Sequence, residues 1–106
     1  MAGVIEKYAN NPITIRRRVG IVDGQPEWEE VGGVAMIFDF SQADIDYFGA
    51  IKNGAIFLVA PTISKPPQVP GQVLHDGKIY DIQGVKTYRN LKGQLLGYRV
   101  AVAGGA

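Results

Sequence analysis

Residues 71–88 read GQVLHDGKIYDIQGVKTY, and this stretch decides the fold. Alternating apolar and polar residues lie on both sides of Asp76-Gly77. A tight two-residue turn needs positive φ at both central positions, which aspartate and glycine tolerate. The stretch therefore predicts a β-hairpin that turns at Asp76-Gly77.

The second strand of this hairpin changes register partway along. Tyr80 and Ile82 share one face, but the apolar pattern resumes at Val85, one position out of step. Gly84 lies at the break, where one extra residue in the strand would restore the register. We therefore predict a β-bulge at Gly84.

Composition indicates one small β-domain. The chain has 106 residues, of which 46% are hydrophobic and 20% charged, so residues 1–106 form a single domain with one modest core. Fourteen glycines and six prolines indicate many turns, which favours strands over helices. With no cysteine, disulfides and thiolate metal sites are excluded. The net charge of +1 provides little field for sequence-independent binding to nucleic acid.

Further strands are predicted at residues 13–22, 28–40, 55–60 and 94–102. We expect an all-β fold, a small partly closed β-barrel or sandwich of roughly five to seven antiparallel strands with one short helix. In the long second strand, Phe38 shares a face with Val34, Met36 and Phe40, and this face is predicted to point to the core. The predicted core consists of Phe38, Phe57, Val59, Tyr80, Ile82, Val85, Tyr98 and Val100.

Asp23-Gly24 predicts a second tight turn, between the first two strands. Continuous pairing from that turn would place Arg18 opposite Glu29 and Arg17 opposite Glu30. The run 16–18, three consecutive arginines, then has two interpretations. It pairs with the glutamates of the next strand, or it binds phosphate or an acidic partner.

The predicted helix covers residues 41–53. Ser41 and Asp44 have the spacing of a capping box, apolar residues follow at helical intervals, and Asn53-Gly54 supplies a stop. Asp39, Asp44 and Asp46 lack the pattern of a calcium loop, so we interpret the acidic residues as charges at a helix start.

Residues 61–70 contain four of the six prolines and form a long connection. Such a segment is stiff and extended. It is either a passive connector or a projecting loop that contacts a partner. Residues 1–11 are predicted to form an N-terminal arm.

No catalytic, metal-binding or cofactor-binding pattern appears in the sequence. His75 is the only histidine, and it lies next to a turn, where we expect a solvated hairpin residue. Phosphate-binding glycine patterns are absent. The residues alone therefore indicate neither an enzyme nor a cofactor.

Several of these features occur together in a known order. Residues 13–15 read Ile-Thr-Ile, and a long strand, a short helix and a strand ending near Val59 follow. Residues 70–74 read Pro-Gly-Gln-Val-Leu, and residues 76–85 read Asp-Gly-Lys-Ile-Tyr-Asp-Ile-Gln-Gly-Val. This order resembles the head–tail joining proteins of tailed bacteriophages, also called head-closure or stopper proteins. That family usually has an acidic residue where this chain has Gln72.

The resemblance implies a barrel that assembles with identical subunits as a ring in the virion neck. The ring would dock on the portal or its adaptor and receive the tail terminator or tail tube protein, while genomic DNA passes through its channel without sequence-specific binding. It implies a protein of the virion, present in the host cytoplasm during assembly. The candidate channel or partner loop is Ile63, Ser64, Lys65, Pro66, Pro67 and Gln68; the candidate subunit-interface residues are Arg16, Arg18, Asp44, Asp46 and Tyr47.

Two other functions stay open. Tail-completion and tail-tube proteins of phages share parts of the same pattern. An OB-like module that binds nucleic acid would need basic and aromatic residues on one exposed face, and the near-zero net charge argues against it.

Overall fold

A computed structural model describes residues 8–51 and 53–104. In chain order its strands and helix are β1 (Asn11–Val22), β2 (Gln25–Asp39), α1 (Gln42–Phe48), β3 (Gly54–Val59), β4 (Gly71–His75), β5 (Lys78–Arg89) and β6 (Leu95–Gly104). The predicted all-β class with a short helix is confirmed.

The six strands form one sheet that closes on itself. Their order around the barrel is β1-β2-β3-β6-β5-β4, and every neighbouring pair is antiparallel. The pairing of β4 with β1 closes the barrel, and it runs from Thr14 opposite Leu74 to Arg17 opposite Gly71. The barrel is therefore closed, where the sequence predicted partial closure. Closure pairs the strand edges around the body of the barrel that an open sheet would expose.

Both predicted Asp-Gly turns are present. Asp76 and Gly77 have φ values of 51° and 75°, and Asp23 and Gly24 have 51° and 76°, as a turn with two left-handed central residues requires. His75 pairs with Lys78 directly across the first of these turns.

The predicted bulge at Gly84 is confirmed. Along β5 the pairing with β6 shifts between Ile82 and Gly84, so that Ile82 faces Val102 and Gly84 faces Ala101. Gly84 has a second role that the sequence did not indicate. A Cβ placed on it would lie 2.7 Å from Cδ1 of Phe48, because α1 packs on the sheet at this point.

The predicted register of the β1–β2 hairpin is wrong beyond its first pairs. The pairing shifts between Arg18 and Gly20, which leaves Val19 as an extra residue. Arg17 therefore faces Glu29, and Arg18 faces Trp28 instead of Glu29. A bulge moves every later pair by one position. Gly20 follows the extra residue, but the apolar alternation continues from Val19 to Ile21 without a change of step, so alternation does not locate this bulge.

The barrel interior holds most of the predicted core. Phe57, Val59, Ile82, Tyr98 and Val100 belong to the buried cluster, with Tyr80 and Val85 packed against it. The prediction for Phe38 is wrong.

Phe38 lies on the outer face of β2 and is 44% exposed, whereas Val31 and Ala35 of the opposite face are in the core cluster. Both faces of this strand are apolar, so alternation alone could not decide which face points inward.

Helix α1 is shorter than predicted. Ser41 caps it as expected: its side chain accepts from the backbone N–H of Asp44, and the Asp44 carboxylate accepts from the backbone N–H of Ser41. The helix ends at Phe48, and Gly49 has a positive φ of 87°. The predicted end at residue 53 is wrong because Gly49 leaves the helical conformation and its backbone N–H caps the carbonyl of Ile45. Asn53 takes the left-handed conformation outside the helix.

Most of the predicted N-terminal arm, residues 1–7, lies outside the described residues. Ala9 is buried, and Asn11 begins β1 with its side-chain amide donating to the carbonyl of Ala35 at 3.1 Å. Residues 9–11 are therefore held against the barrel.

The contact of Gly84 with Phe48 predicts a strong effect of the smallest substitution. Gly84→Ala should destabilise the fold by about 1–3 kcal/mol, because the new methyl group requires the ring or the strand to move. Gly32→Ala is the matched control: it lies in a strand, and a Cβ there meets nothing within 4 Å. Urea unfolding of both variants measures the difference; equal stability would contradict the docking of α1 on β5.

Candidate assembly surfaces

The β1–β2 hairpin extends beyond the barrel. Strand β4 pairs with β1 only as far as Arg17, and β3 pairs with β2 only from Ala35 to Asp39. Among the described strands, residues 18–28 therefore pair only with one another. At about 3.3 Å per residue, the hairpin projects roughly 15 Å past Arg17.

The end of this hairpin, residues 19–26, is called the hairpin tip below. Its apolar side chains are largely exposed: Val19 by 51%, Ile21 by 62% and Val22 by 53%. Asp23 lies at the turn and is also exposed. Neighbouring exposed apolar side chains on a projecting element are typical of protein–protein contact sites.

The base of the hairpin is held by a charged network. Arg17 donates to Glu29 at 3.0 Å and to Gln68 at 2.9 Å, and Lys65 donates to Glu29 at 2.6 Å. Lys65, and then Arg17, lower the pKa of Glu29. The amide of Gln68 donates to the carbonyl of Arg18 at 3.0 Å. The loop between β3 and β4 thus fastens to both strands of the hairpin where it leaves the barrel.

Arg16 joins the same network from the side. Its guanidinium lies 4.9 Å from the centre of the Trp28 ring and donates to Gln72 at 2.8 Å, while its Nε is 4.0 Å from Glu30. Pairing with the glutamates of β2, one of the two interpretations of the arginine run, is thus observed for Arg16 and Arg17. Arg18 is exposed and remains a candidate contact residue.

The proline-rich loop does not project as a whole. Ile63 belongs to the core cluster at 7% exposure, and Pro67 is buried as well. These two residues are therefore removed from the candidate partner loop, because they anchor the segment to the barrel. Ser64, Lys65 and Pro66 form its exposed part.

Helix α1 is attached to the outside of the barrel by a buried ion pair. Nε of Arg99, on the outer face of β6, donates to Oδ1 of Asp44 at 2.6 Å, and Asp44 is 2% exposed. The Arg99 guanidinium, aided by hydrogen bonds from Ser41, overcomes the effect of burial and lowers the pKa of Asp44 to about 2. Burial removes Asp44 from the candidate interface: it fixes the helix and is not available to a partner.

The remaining candidates on the helix border a cleft. Asp46 and Tyr47 are exposed, and Tyr47 makes an edge-to-face contact with Phe48. Lys86 of β5 places its ammonium group 4.6 Å from the centre of the Tyr47 ring and 5.4 Å from that of Tyr88. The cavity between these side chains, called the helix cleft, has a volume of about 250 Å³.

A second depression of about 430 Å³ lies at the end of the barrel away from the hairpin tip, between the start of β1 and the β4–β5 turn. His75, the predicted solvated hairpin residue, lines this depression; it is half-buried, with Nδ1 3.1 Å from the carbonyl oxygen of Pro12. Since a carbonyl only accepts, Nδ1 carries the proton in this bond. Across residues 8–51 and 53–104, no three histidine or acidic side chains group as metal ligands.

Comparisons of this chain with protein-family models, with curated proteins and with solved structures found no match. In the part of the chain that the structure describes, no helix is long and apolar enough to cross a membrane.

Sequence reasoning missed the hairpin tip and the helix cleft. The lengths of the predicted strands contained a signal for the tip. The strand at residues 13–22 is at least twice as long as the strand that precedes Asp76, so a pairing between the two would leave part of the longer strand extending past the shorter one. No such signal existed for the cleft. Lys86, Tyr88 and Arg99 are brought to α1 only by the pairing of β5 with β6.

Removing the charge of Asp44 should weaken the fold. Asp44→Asn keeps a capping side chain but leaves the half-buried guanidinium of Arg99 without its carboxylate, so we expect a loss of about 2–4 kcal/mol in the free energy of unfolding. Asp46→Asn is the matched control, because Asp46 lies on the same helix and only accepts from Gln42 at 3.1 Å. It should change stability by less than about 0.5 kcal/mol.

The same pair gives a pH signature. The pKa of Asp44 is lowered from 3.8 to about 2 by folding, so its contribution is present above pH 4 and is lost as the pH falls toward 2. A shift of this size corresponds to roughly 2 kcal/mol. Between pH 5 and pH 2 the wild type should therefore lose more stability than Asp44→Asn, and parallel losses would contradict the ion pair.

Proposed function

We propose that this protein is a structural ring subunit of the bacteriophage virion neck, which joins the head to the tail and helps to retain DNA. Its partners are identical subunits, the portal or adaptor on one side and the tail terminator or tail tube protein on the other. Genomic DNA passes through the ring without sequence-specific contacts. The assignment to a neck depends on the resemblance of residues 13–15 and 70–85 to head–tail joining proteins.

The observation that carries an assembly role is the exposed apolar hairpin tip. Ile21 and Val22 are both more than half exposed on an element held rigid at its base by the Arg17–Glu29–Lys65 network. An apolar tip favours docking on another protein over contact with nucleic acid, for which cationic side chains are needed. Around the base, three arginines and Lys65 lie among three glutamates, so little net positive charge faces solvent there.

A genetic experiment tests this function. Deletion of the gene from the phage genome should give cells that contain filled or leaking heads and separate tails, and few joined particles. Supplying the wild-type chain in trans should restore tailed particles, as counted by electron microscopy. Normal tailed particles without the chain would contradict the proposal, as would tight, salt-sensitive DNA binding by the purified protein.

The hairpin tip should matter in the same assay. Ile21→Ser with Val22→Ser should leave stability within about 1 kcal/mol, because both side chains are already exposed, but should fail to restore tailed particles. Leu91→Ser is the matched control, since Leu91 is fully exposed at a different turn. Full restoration by the double variant would show that the tip has no role in assembly.

A further inference from the structure

The helix cleft carries an uncompensated positive charge. The guanidinium of Arg99 is neutralised by Asp44 at 2.6 Å on the floor of the cleft. Lys86 stands above the rings of Tyr47 and Tyr88, and within the described part of the chain it forms no ion pair. The cleft thus offers aromatic walls and one cation, a combination that suits a small apolar group next to a carboxylate.

The hairpin tip presents that combination. Ile21 and Val22 are exposed next to Asp23, which forms with Gly24 the turn at the end of the hairpin. In the described residues Asp23 also forms no ion pair. Two surfaces of one molecule therefore complement each other in charge and in apolar character.

The two surfaces lie on different parts of the barrel. The tip extends from β1 and β2, whereas the cleft lies between α1 and the outer faces of β5 and β6. Around the barrel the strand order is β1-β2-β3-β6-β5-β4, so β3 and β4 separate the pair β1–β2 from the pair β5–β6. The complementary surfaces can therefore meet between two copies. A contact between unlike surfaces is heterologous, and it closes into a ring where the rotation between copies permits.

We propose that the hairpin tip of one copy docks in the helix cleft of the next. The carboxylate of Asp23 pairs with the ammonium group of Lys86, and Val22 packs on the tyrosine rings beside it. This contact specifies how the subunits of the proposed ring meet and so rests on the proposed function, but it is measurable on the purified protein alone.

Crosslinking tests the contact directly, because the chain has no cysteine of its own. Cysteines placed beside the proposed ion pair leave both charges intact: Gln25 is exposed in the hairpin tip and Ala43 lines the helix cleft. A mixture of Gln25→Cys and Ala43→Cys with a short thiol-to-thiol crosslinker should give a linked pair and little that is larger. The chain that carries both changes should give a ladder of oligomers. Lys78→Cys mixed with Ala43→Cys is the matched control, since Lys78 follows the other Asp-Gly turn as Gln25 follows the first, and it should give no specific link.

Exchanging the charges of Asp23 and Lys86 tests how much their ion pair contributes to self-association. Asp23→Lys and Lys86→Glu should each weaken self-association roughly tenfold or more, as measured by sedimentation velocity. A mixture of the two variants should associate again. The lysine introduced at position 23 then meets the glutamate introduced at position 86, and the unchanged Asp23 of one variant meets the unchanged Lys86 of the other. Asp76→Lys controls for the backbone strain of lysine at a positive φ. Circular dichroism of each variant shows whether it is folded.

The outcomes separate the contact from the function. Suppose that the wild type associates, but that positions 25 and 43 do not link and the mixture of charge variants does not recover. This result would overturn the docking and leave the neck assignment standing. Absence of any self-association at high concentration would also overturn it. A specific link would support the docking even if loss of the protein left phage particles normal. That second result would refute the neck function.

Discussion

The structure depends on the pairing of β4 with β1, which closes the barrel with strands of unequal length. Strand β1 has 12 residues and β4 has 5, and their register joins only Thr14 through Arg17 of β1 to β4. Beyond Arg17, residues 18–28 of the β1–β2 hairpin pair only with one another among the described strands. Closure therefore produces both the compact core and the projecting tip, and the tip is a consequence of the register.

Two sets of contacts make these parts rigid. On one side the loop between β3 and β4 is anchored by Ile63 in the core and reaches the hairpin base through Lys65 and Gln68. On the other side α1 is fixed by the ion pair of Asp44 with Arg99 and by Phe48 against Gly84. The second set also creates the helix cleft. A pre-formed tip and a pre-formed cleft lose little conformational entropy on association, which favours assembly.

Local chemistry predicted much of this fold. The Asp-Gly turns, the bulge at Gly84 and the capping box of Ser41 depend on residues close in sequence, and all three are present. Alternation shows which residues share a face but not what covers that face. Alternation therefore predicts Phe38 inside, which is wrong. Nothing in the sequence indicates that Asp44 is buried against Arg99, 55 positions away. Exposure of the tip likewise depends on where a partner strand stops.

In the proposed assembly, one side of the barrel receives the end of a neighbour's hairpin. Cryo-electron microscopy of purified phage necks tests it most directly. The account predicts a ring of this chain around the channel axis, with Asp23 of each copy within ion-pair distance of Lys86 in the next. A neck without this chain, or a ring whose hairpin ends point into solvent, would contradict it.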